Sequence, residues 1–98
     1  MLDLDFEWDE QKNARNRREH RISFEEAKTV LYDERALLIP DPDHSEDEER
    51  FILLGLSGAL RTLLVSHCYR QRGDVIRIIS ARRADAQERK QYNIRWTQ

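Results

Sequence analysis

Three strand signals follow one another along the chain, and they constrain the fold more than any other feature. Apolar and β-branched residues are concentrated at 50–56, 60–69 and 74–81. The turn-forming pairs Ser57-Gly58 and Arg72-Gly73 separate these runs. Strands joined by such short bends pair most simply as antiparallel neighbours, so the sequence predicts a three-stranded meander.

A short strand and a polar helix are predicted near the N-terminus. Residues 4–8 alternate apolar and acidic side chains, which is typical of a brief strand with one buried face. Asp9 is a suitable N-cap for a helix that continues to about His20. Because this helix is polar on almost every side, only a thin stripe of it can be buried.

Three further elements complete the expected set. The segment Ser23-Phe24-Glu25-Glu26 has the form of a capping box, in which Ser23 and Glu26 satisfy each other's free backbone N–H groups at the start of a second helix. A short strand at 36–39 is closed by Pro40, and an acidic loop covers 41–47. A last helix begins near Asp85, with Ala84, Glu88, Tyr92 and Trp96 recurring every four residues.

This order of elements predicts an α+β fold with a mostly antiparallel sheet. We expect the two N-terminal helices on one sheet face and a separate C-terminal helix, with the other face partly open as a binding surface. The 98 residues allow one hydrophobic core, so a single domain over 1–98 is expected.

The charges are divided unevenly along the chain. Net charge is only -2, but residues 1–49 hold 7 Lys and Arg against 16 Asp and Glu, whereas residues 50–98 hold 10 against 3. The first half therefore carries -9 and the second +7. A basic half of this size indicates a nucleic-acid partner despite the acidic total.

Several classes of protein and site are disfavoured. The single Cys68 permits no disulfide framework and no Cys-rich zinc pattern, and His44 in the acidic loop is only a weak metal signal. The acidic N-terminus does not resemble a signal peptide, and no segment is long and apolar enough to span a membrane. We expect a soluble cytoplasmic protein that needs no metal and no cofactor.

Arginines interrupt the third strand of the meander, and Arg is the side chain best suited to binding phosphate. Strict alternation places Arg77 and Arg83 on one face and Arg82 on the other. Arg77 and Arg82 can therefore reach one ligand only if a bulge or the turn at the strand end redirects Arg82. The alternative is that Arg82 and Arg83 are rim charges paired with Glu88 or with the acidic loop.

Other candidate groups surround this strand. If the second and third meander strands pair, His67 could lie near Arg77 and act as a general acid or base; the alternative is a histidine buried in the sheet and satisfied by a backbone group. Lys12, Arg15 and His20 form the basic side of the first helix, for which a solvated helix face is the default interpretation and RNA binding the alternative. A surface of this kind can cleave RNA, because the substrate supplies its own 2′-hydroxyl nucleophile.

Four segments together resemble the BrnT toxins over most of the chain, from Phe6 to about Tyr92. The block Ile-Arg-Ile-Ile-Ser-Ala-Arg at 76–82 is the most specific part of the match. The segments are Phe6-Glu7-Trp8-Asp9 with Lys12 and Asn16, His20 with Ser23-Phe24-Glu25-Glu26-Ala27, Asp41-Pro42-Asp43-His44-Ser45, and Ile76-Arg77-Ile78-Ile79-Ser80-Ala81-Arg82-Arg83-Ala84 with Glu88 and Tyr92.

The resemblance implies a RelE-like fold and a ribonuclease toxin of a type II toxin-antitoxin module, which inhibits translation and is neutralised by a BrnA-type antitoxin. It also implies hetero-oligomers with the antitoxin that reach operator DNA only through that partner. A module that binds RNA or antitoxin without cutting is the alternative. The implied catalytic residues are Lys12, Arg77, Arg82, Glu88 and Tyr92, to which the strand argument adds His67; the expected RNA-binding residues are Arg15, His20 and Arg83.

The chain departs from the BrnT pattern at the end of the first helix. The family commonly reads Lys-His-Gly where this chain has Glu19-His20-Arg21. A glycine helix stop and one basic residue are therefore missing, which we expect to weaken activity if the lysine contacts RNA.

Overall fold

The computed structural model describes residues 4–41 and 49–96. Within them the chain forms five strands and three α-helices, with one 3₁₀ turn at Gln71–Gly73. In chain order they are β1 (Asp5–Glu7), α1 (Glu10–His20), α2 (Phe24–Val30), β2 (Leu37–Pro40), β3 (Arg50–Leu56), β4 (Thr62–Arg70), β5 (Val75–Arg83) and α3 (Ala86–Trp96).

The strands form a single sheet in the order β1-β5-β4-β3-β2. The pairs β2–β3, β3–β4 and β4–β5 are antiparallel, and only the short β1 runs parallel to its neighbour β5. The predicted meander and the α+β class with a mostly antiparallel sheet are confirmed. The predicted acidic loop, including His44, lies almost entirely outside the described residues.

One face of the sheet, the core face, packs against α2 and the segment before it. Phe24, Ala27 and Val30 follow one another at helical spacing and are fully buried, as is Ile22. These four side chains pack on one set of sheet side chains. Directly paired residues of neighbouring strands point to the same face, so alternate residues of each strand contribute to this set. These side chains are Leu53, Leu63, Val65, Ile76, Ile78 and Ala81.

Helix α1 docks through two asparagines rather than through an apolar stripe. The Asn16 side chain accepts a hydrogen bond from the Ala81 N–H (3.2 Å) and donates to the Ala81 carbonyl and to the Ile22 carbonyl (both 2.8 Å). Asn13 accepts from the Phe24 N–H at 2.9 Å. Since β1 pairs only with residues 75–77, Asn16 satisfies the β5 edge where no strand continues the sheet.

Helix α3 packs against one end of the opposite face, which we call the groove face. Tyr92 and Ala84 are buried there against Leu54 and Leu64. The Tyr92 hydroxyl donates to Asp33 Oδ2 at 2.6 Å, which joins α3 to the segment that follows α2.

Helices α2 and α3 differ in how their N-termini are capped. At α3 the box is reciprocal: the Glu88 N–H donates to Asp85 Oδ1 and the Asp85 N–H to Glu88 Oε1, both at 2.8 Å. At α2 Ser23 accepts from the Glu26 N–H at 3.0 Å, but the Glu26 carboxylate turns away to the Arg61 side chain and the Ser57 hydroxyl. The predicted return bond from Glu26 to Ser23 was wrong, because a guanidinium is the stronger partner for a carboxylate.

Candidate nucleic-acid interface

A bulge in β5 brings Arg77 and Arg82 to the same side of the sheet. The pairing runs His67 with Ile78 and then Ser66 with Ser80, so Ile79 is an extra residue without a partner on β4. Arg77 faces away from the buried Ile76 and Ile78, and after the bulge Arg82 faces away from the buried Ala81. Both arginines therefore belong to the groove face, about 15 Å apart along the strand at the usual rise per residue.

Glu88 holds the Arg82 guanidinium in a fixed orientation. The two groups form a bidentate pair, with Arg82 Nη1 at 3.0 Å from Glu88 Oε1 and Nη2 at 2.9 Å from Oε2. The hydrogen bonds from Arg82 lower the pKa of Glu88, and Glu88 in turn raises the pKa of Arg82. About half of the Arg82 side chain stays exposed, so the guanidinium can still donate to an incoming phosphate.

A cavity of about 100 Å³ lies beside Arg82 on the groove face. The cavity lies where the end of α1 meets strands β3, β4 and β5. Its lining includes one imidazole, two hydroxyls and one guanidinium. Its lining residues are His20, Ile52, Leu64, Ser66, Ser80, Ala81 and Arg82. Such a set offers hydrogen-bond donors for phosphate oxygens together with one group that can carry a proton.

A second row of polar residues crosses the same face further along the sheet. Glu7, Arg77, Cys68 and Arg50 pair directly across four strands and so point to one side. Arg77 forms an ion pair with Glu7. The buried Nε of Arg50 has no hydrogen-bond partner among residues 4–41 and 49–96, and no local sequence pattern marks this arginine as a site residue.

A comparison with known proteins places the chain in a family. A family model described as ribonuclease toxin, BrnT, of type II toxin-antitoxin system matches residues 8–88. The chain belongs to the BrnT family. Membership in a type II toxin-antitoxin family implies an antitoxin partner.

A solved BrnT structure has the same fold. The 1.1 Å crystal structure of the Brucella abortus ribonuclease toxin BrnT matches with a TM-score of 0.65 and 22% sequence identity, covering 85% of this chain and 99% of that chain. No curated protein matches the chain.

Of the residues that the BrnT resemblance suggested on α1, Lys12 and His20 are exposed, whereas Asn16 is buried. Lys12, Asn16 and His20 are four residues apart and follow one side of the helix, the side on which Asn16 meets β5. Only His20 of this group lines the cavity beside Arg82. Arg15 is displaced by about a quarter turn around the helix from Asn16, further from the β5 edge.

The prediction that His67 lies near Arg77 was wrong. His67 is opposite Ile78 on the core face, whereas the residue opposite Arg77 is Cys68. His67 is fully buried, with Nδ1 3.2 Å from the Val65 carbonyl and Nε2 3.3 Å from the Tyr69 hydroxyl. Burial lowers the pKa of His67 and outweighs the opposing effect of the Val65 carbonyl. This placement matches the alternative interpretation, a histidine that is buried in the sheet and satisfied by a backbone group.

Two other candidates are not presented in the groove. Tyr92 packs under α3 on the groove face, but it is 2% exposed and its hydroxyl is engaged by Asp33. Arg83 is opposite Leu63 and points to the core face, where it lines a different cavity. Of the predicted site residues, the groove face therefore presents Arg77, Arg82 with Glu88, and His20 to a ligand, whereas Tyr92 is buried.

Neither a metal cluster nor a membrane helix is found in the part of the chain that the structure describes. No three His, Cys, Asp or Glu side chains among these residues could hold a metal ion together. No helix within the same residues is long and apolar enough to cross a membrane.

Proposed function

We propose that this protein is an endoribonuclease toxin whose groove face binds RNA and cuts it at Arg82. The observation that carries the proposal is the β5 bulge, which turns Arg82 to the side of Arg77 and places it beside His20. An exposed guanidinium held by a carboxylate binds a phosphate with little loss of side-chain freedom. Membership in the BrnT family supports the choice of RNA as the substrate.

The chemistry needs no metal in this proposal. The RNA 2′-hydroxyl loses its proton and attacks the adjacent phosphorus, while the 5′-oxygen leaves with a proton and a 2′,3′-cyclic phosphate remains. Arg82 neutralises the charge that builds on the phosphate oxygens, and Glu88 positions Arg82. His20 is the imidazole of the groove and transfers the proton, while Ser66 and Ser80 donate hydrogen bonds.

Arg77 and Lys12 have binding roles in this scheme. Arg77 lies about 15 Å along β5 from Arg82 and contacts a phosphate further along the RNA strand. Lys12 is exposed on the same side of α1 as His20, about two turns away, and adds positive charge to that side. His67 and Tyr92 support the fold, since each is buried and hydrogen-bonded within the protein.

The antitoxin partner is proposed to be of the BrnA type, and operator DNA to be bound only by the complex of the two proteins. Growth arrest on expression of the chain alone, relieved by co-expression of the neighbouring reading frame, supports this pairing. Arrest that persists in the presence of that neighbour contradicts it.

Cleavage of RNA by the purified protein in EDTA tests the activity. We expect the wild type to cut RNA and Arg82→Gln to lower the rate by at least about 100-fold, the usual effect of removing one donor from a charge-stabilising site. Arg72→Gln, in the exposed turn before β5, is the matched control and should retain the wild-type rate. Full activity in Arg82→Gln overturns the assigned role, and tight binding without cutting by the wild type indicates a binding module instead.

A further inference from the structure

A second basic cavity lies on the other side of β5 from the groove. It has a volume of about 410 Å³ and forms where β4 begins, β5 ends and α3 starts. Three guanidinium groups and one hydroxyl line it. The lining residues are Arg61, Thr62, Arg83, Ala84 and Arg89.

The three arginines differ in how far they are already engaged. Arg61 donates to Glu26 through Nε at 2.9 Å, and this pairing lowers the pKa of Glu26. Arg89 Nη1 donates only to a backbone group, the Ala84 carbonyl, at 2.9 Å. The Arg83 side chain is exposed and makes no hydrogen bond or ion pair with any residue within 4–41 and 49–96, although its charge helps to lower the pKa of Glu26. One carboxylate therefore faces three guanidinium groups, and the cluster keeps a charge of +2.

We propose that this cavity is a second phosphate-binding subsite that holds the RNA backbone beyond the groove. The inference rests on the proposed ribonuclease function and extends it to Arg83 and Arg89. Guanidinium groups match phosphate oxygens in geometry as well as charge, and the Thr62 hydroxyl adds a further donor. Arg61 forms part of the cavity wall, and its ion pair with Glu26 fixes its position.

The position of the cavity favours RNA over an acidic protein segment. Arg82 and Arg83 are consecutive residues that point to opposite faces at the end of β5. A single strand that leaves the phosphate at Arg82 and passes over this strand end meets Arg83 and Arg89 next. The two basic sites are thus continuous around one edge of the molecule, as a backbone with a charge at every nucleotide requires.

Binding of an RNA that cannot be cut tests the subsite separately from catalysis. The probe is a single-stranded 12-nucleotide RNA with 2′-O-methyl groups, which removes the attacking hydroxyl. We expect the Arg83→Gln/Arg89→Gln double variant to raise the Kd roughly 10- to 100-fold, as expected for the loss of charge-assisted hydrogen bonds. The slope of log K against log salt should fall in magnitude by about 1.4, or 0.7 for each lost phosphate contact.

Two further variants make the result specific. Arg18→Gln/Arg72→Gln removes the same charge from exposed positions elsewhere and should change the Kd by less than about threefold. Arg83→Lys/Arg89→Lys keeps the charge but loses the bidentate geometry, so it should bind RNA with an intermediate Kd and an unchanged salt slope.

The outcomes separate the subsite from the proposed activity. An unchanged Kd in Arg83→Gln/Arg89→Gln, or a change no larger than in the Arg18 and Arg72 control, overturns the subsite even if Arg82→Gln abolishes cleavage. Weakened binding in that variant supports the subsite even if the wild type cuts no RNA. Loss of antitoxin binding with unchanged RNA binding overturns it as well, because the cavity then serves the protein partner.

Discussion

Tyr92→Phe separates a structural tyrosine from a catalytic one. The substitution removes one oxygen atom and leaves the ring in the apolar cluster formed with Leu54, Leu64 and Ala84. The lost contact is the 2.6 Å hydrogen bond from the Tyr92 hydroxyl to Asp33 Oδ2. Asp33 keeps two backbone donors, the Leu56 N–H at 2.8 Å and the Arg35 N–H at 3.0 Å, so the carboxylate is not left unpaired.

The size of the effect follows from the charge of the acceptor. A hydrogen bond to an ionised group contributes about 1.5–3 kcal/mol, so the free energy of unfolding should fall by that amount at neutral pH. In a domain of this size the melting temperature should drop by roughly 6–24 °C. We expect the rate of RNA cleavage, measured well below the melting transition, to be unchanged.

The effect should also depend on pH. Burial raises the pKa of Asp33, but hydrogen bonds from Leu56, Tyr92 and Arg35 outweigh it, so its pKa lies below the ordinary value of 3.8. The stability from this carboxylate is present above that value and is lost as the pH falls through the lower pKa of the folded state. The difference between wild type and Tyr92→Phe should therefore be largest near pH 7 and shrink below pH 3.8.

Urea unfolding at pH 7 and pH 3, together with an RNA cleavage assay, provides the measurement. Tyr32→Phe is the control, since Tyr32 is 46% exposed and its change should shift stability by less than about 0.5 kcal/mol. A loss of cleavage in folded Tyr92→Phe, with little loss of stability, refutes the structural role and returns Tyr92 to the catalytic residues.

Three other changes test particular contacts. Asn16→Ala removes three buried hydrogen bonds and exposes the β5 edge, so urea unfolding should show a loss of about 2–4 kcal/mol; a loss below 1 kcal/mol contradicts the docking role. His67 has a lowered pKa through burial, so wild-type stability should decline as the pH falls below about 6.5, by at most 1.36 kcal/mol per unit, and His67→Gln should remove this slope between pH 5 and 6.5. Arg21 ends α1 in the left-handed conformation (φ 62°), so Arg21→Gly should raise stability by up to about 1 kcal/mol in thermal unfolding; no gain contradicts the assumed strain.

The fold was predictable because its signals are local and repeated. Period-2 runs and turn residues located β3, β4 and β5 to within a few residues, and caps at Asp9, Ser23 and Asp85 marked the three helices. The docking of α1 was not predictable in the same way. Asn16 bonds to Ala81, 65 residues away, and a polar side chain that binds distant backbone leaves no periodic signal.

The error over His67 was avoidable. The β4–β5 turn pairs Arg70 with Val75, so counting back along the two strands puts His67 opposite Ile78 and not on the side of Arg77. A shift by one residue exchanges the faces, and register therefore decides such a question before chemistry does. Arg50, Ser66 and Ser80 were missed for a related reason, because their common face becomes clear only when four strands are aligned.

Two interpretations of Arg82 appeared to be alternatives in the sequence: a phosphate-binding side chain, or a rim charge paired with Glu88. The structure makes them compatible. Pairing with Glu88 makes Arg82 a rim charge, and an isolated exposed pair contributes little to stability. Yet Glu88 belongs to the first turn of α3, which is capped by Asp85 and joined to the fold by Tyr92. The orientation of Arg82 thus depends on a helix anchored elsewhere, while its side of the sheet depends on the bulge at Ile79. A charge pair with little value for stability is in this way well suited to the phosphate contact that we propose for Arg82.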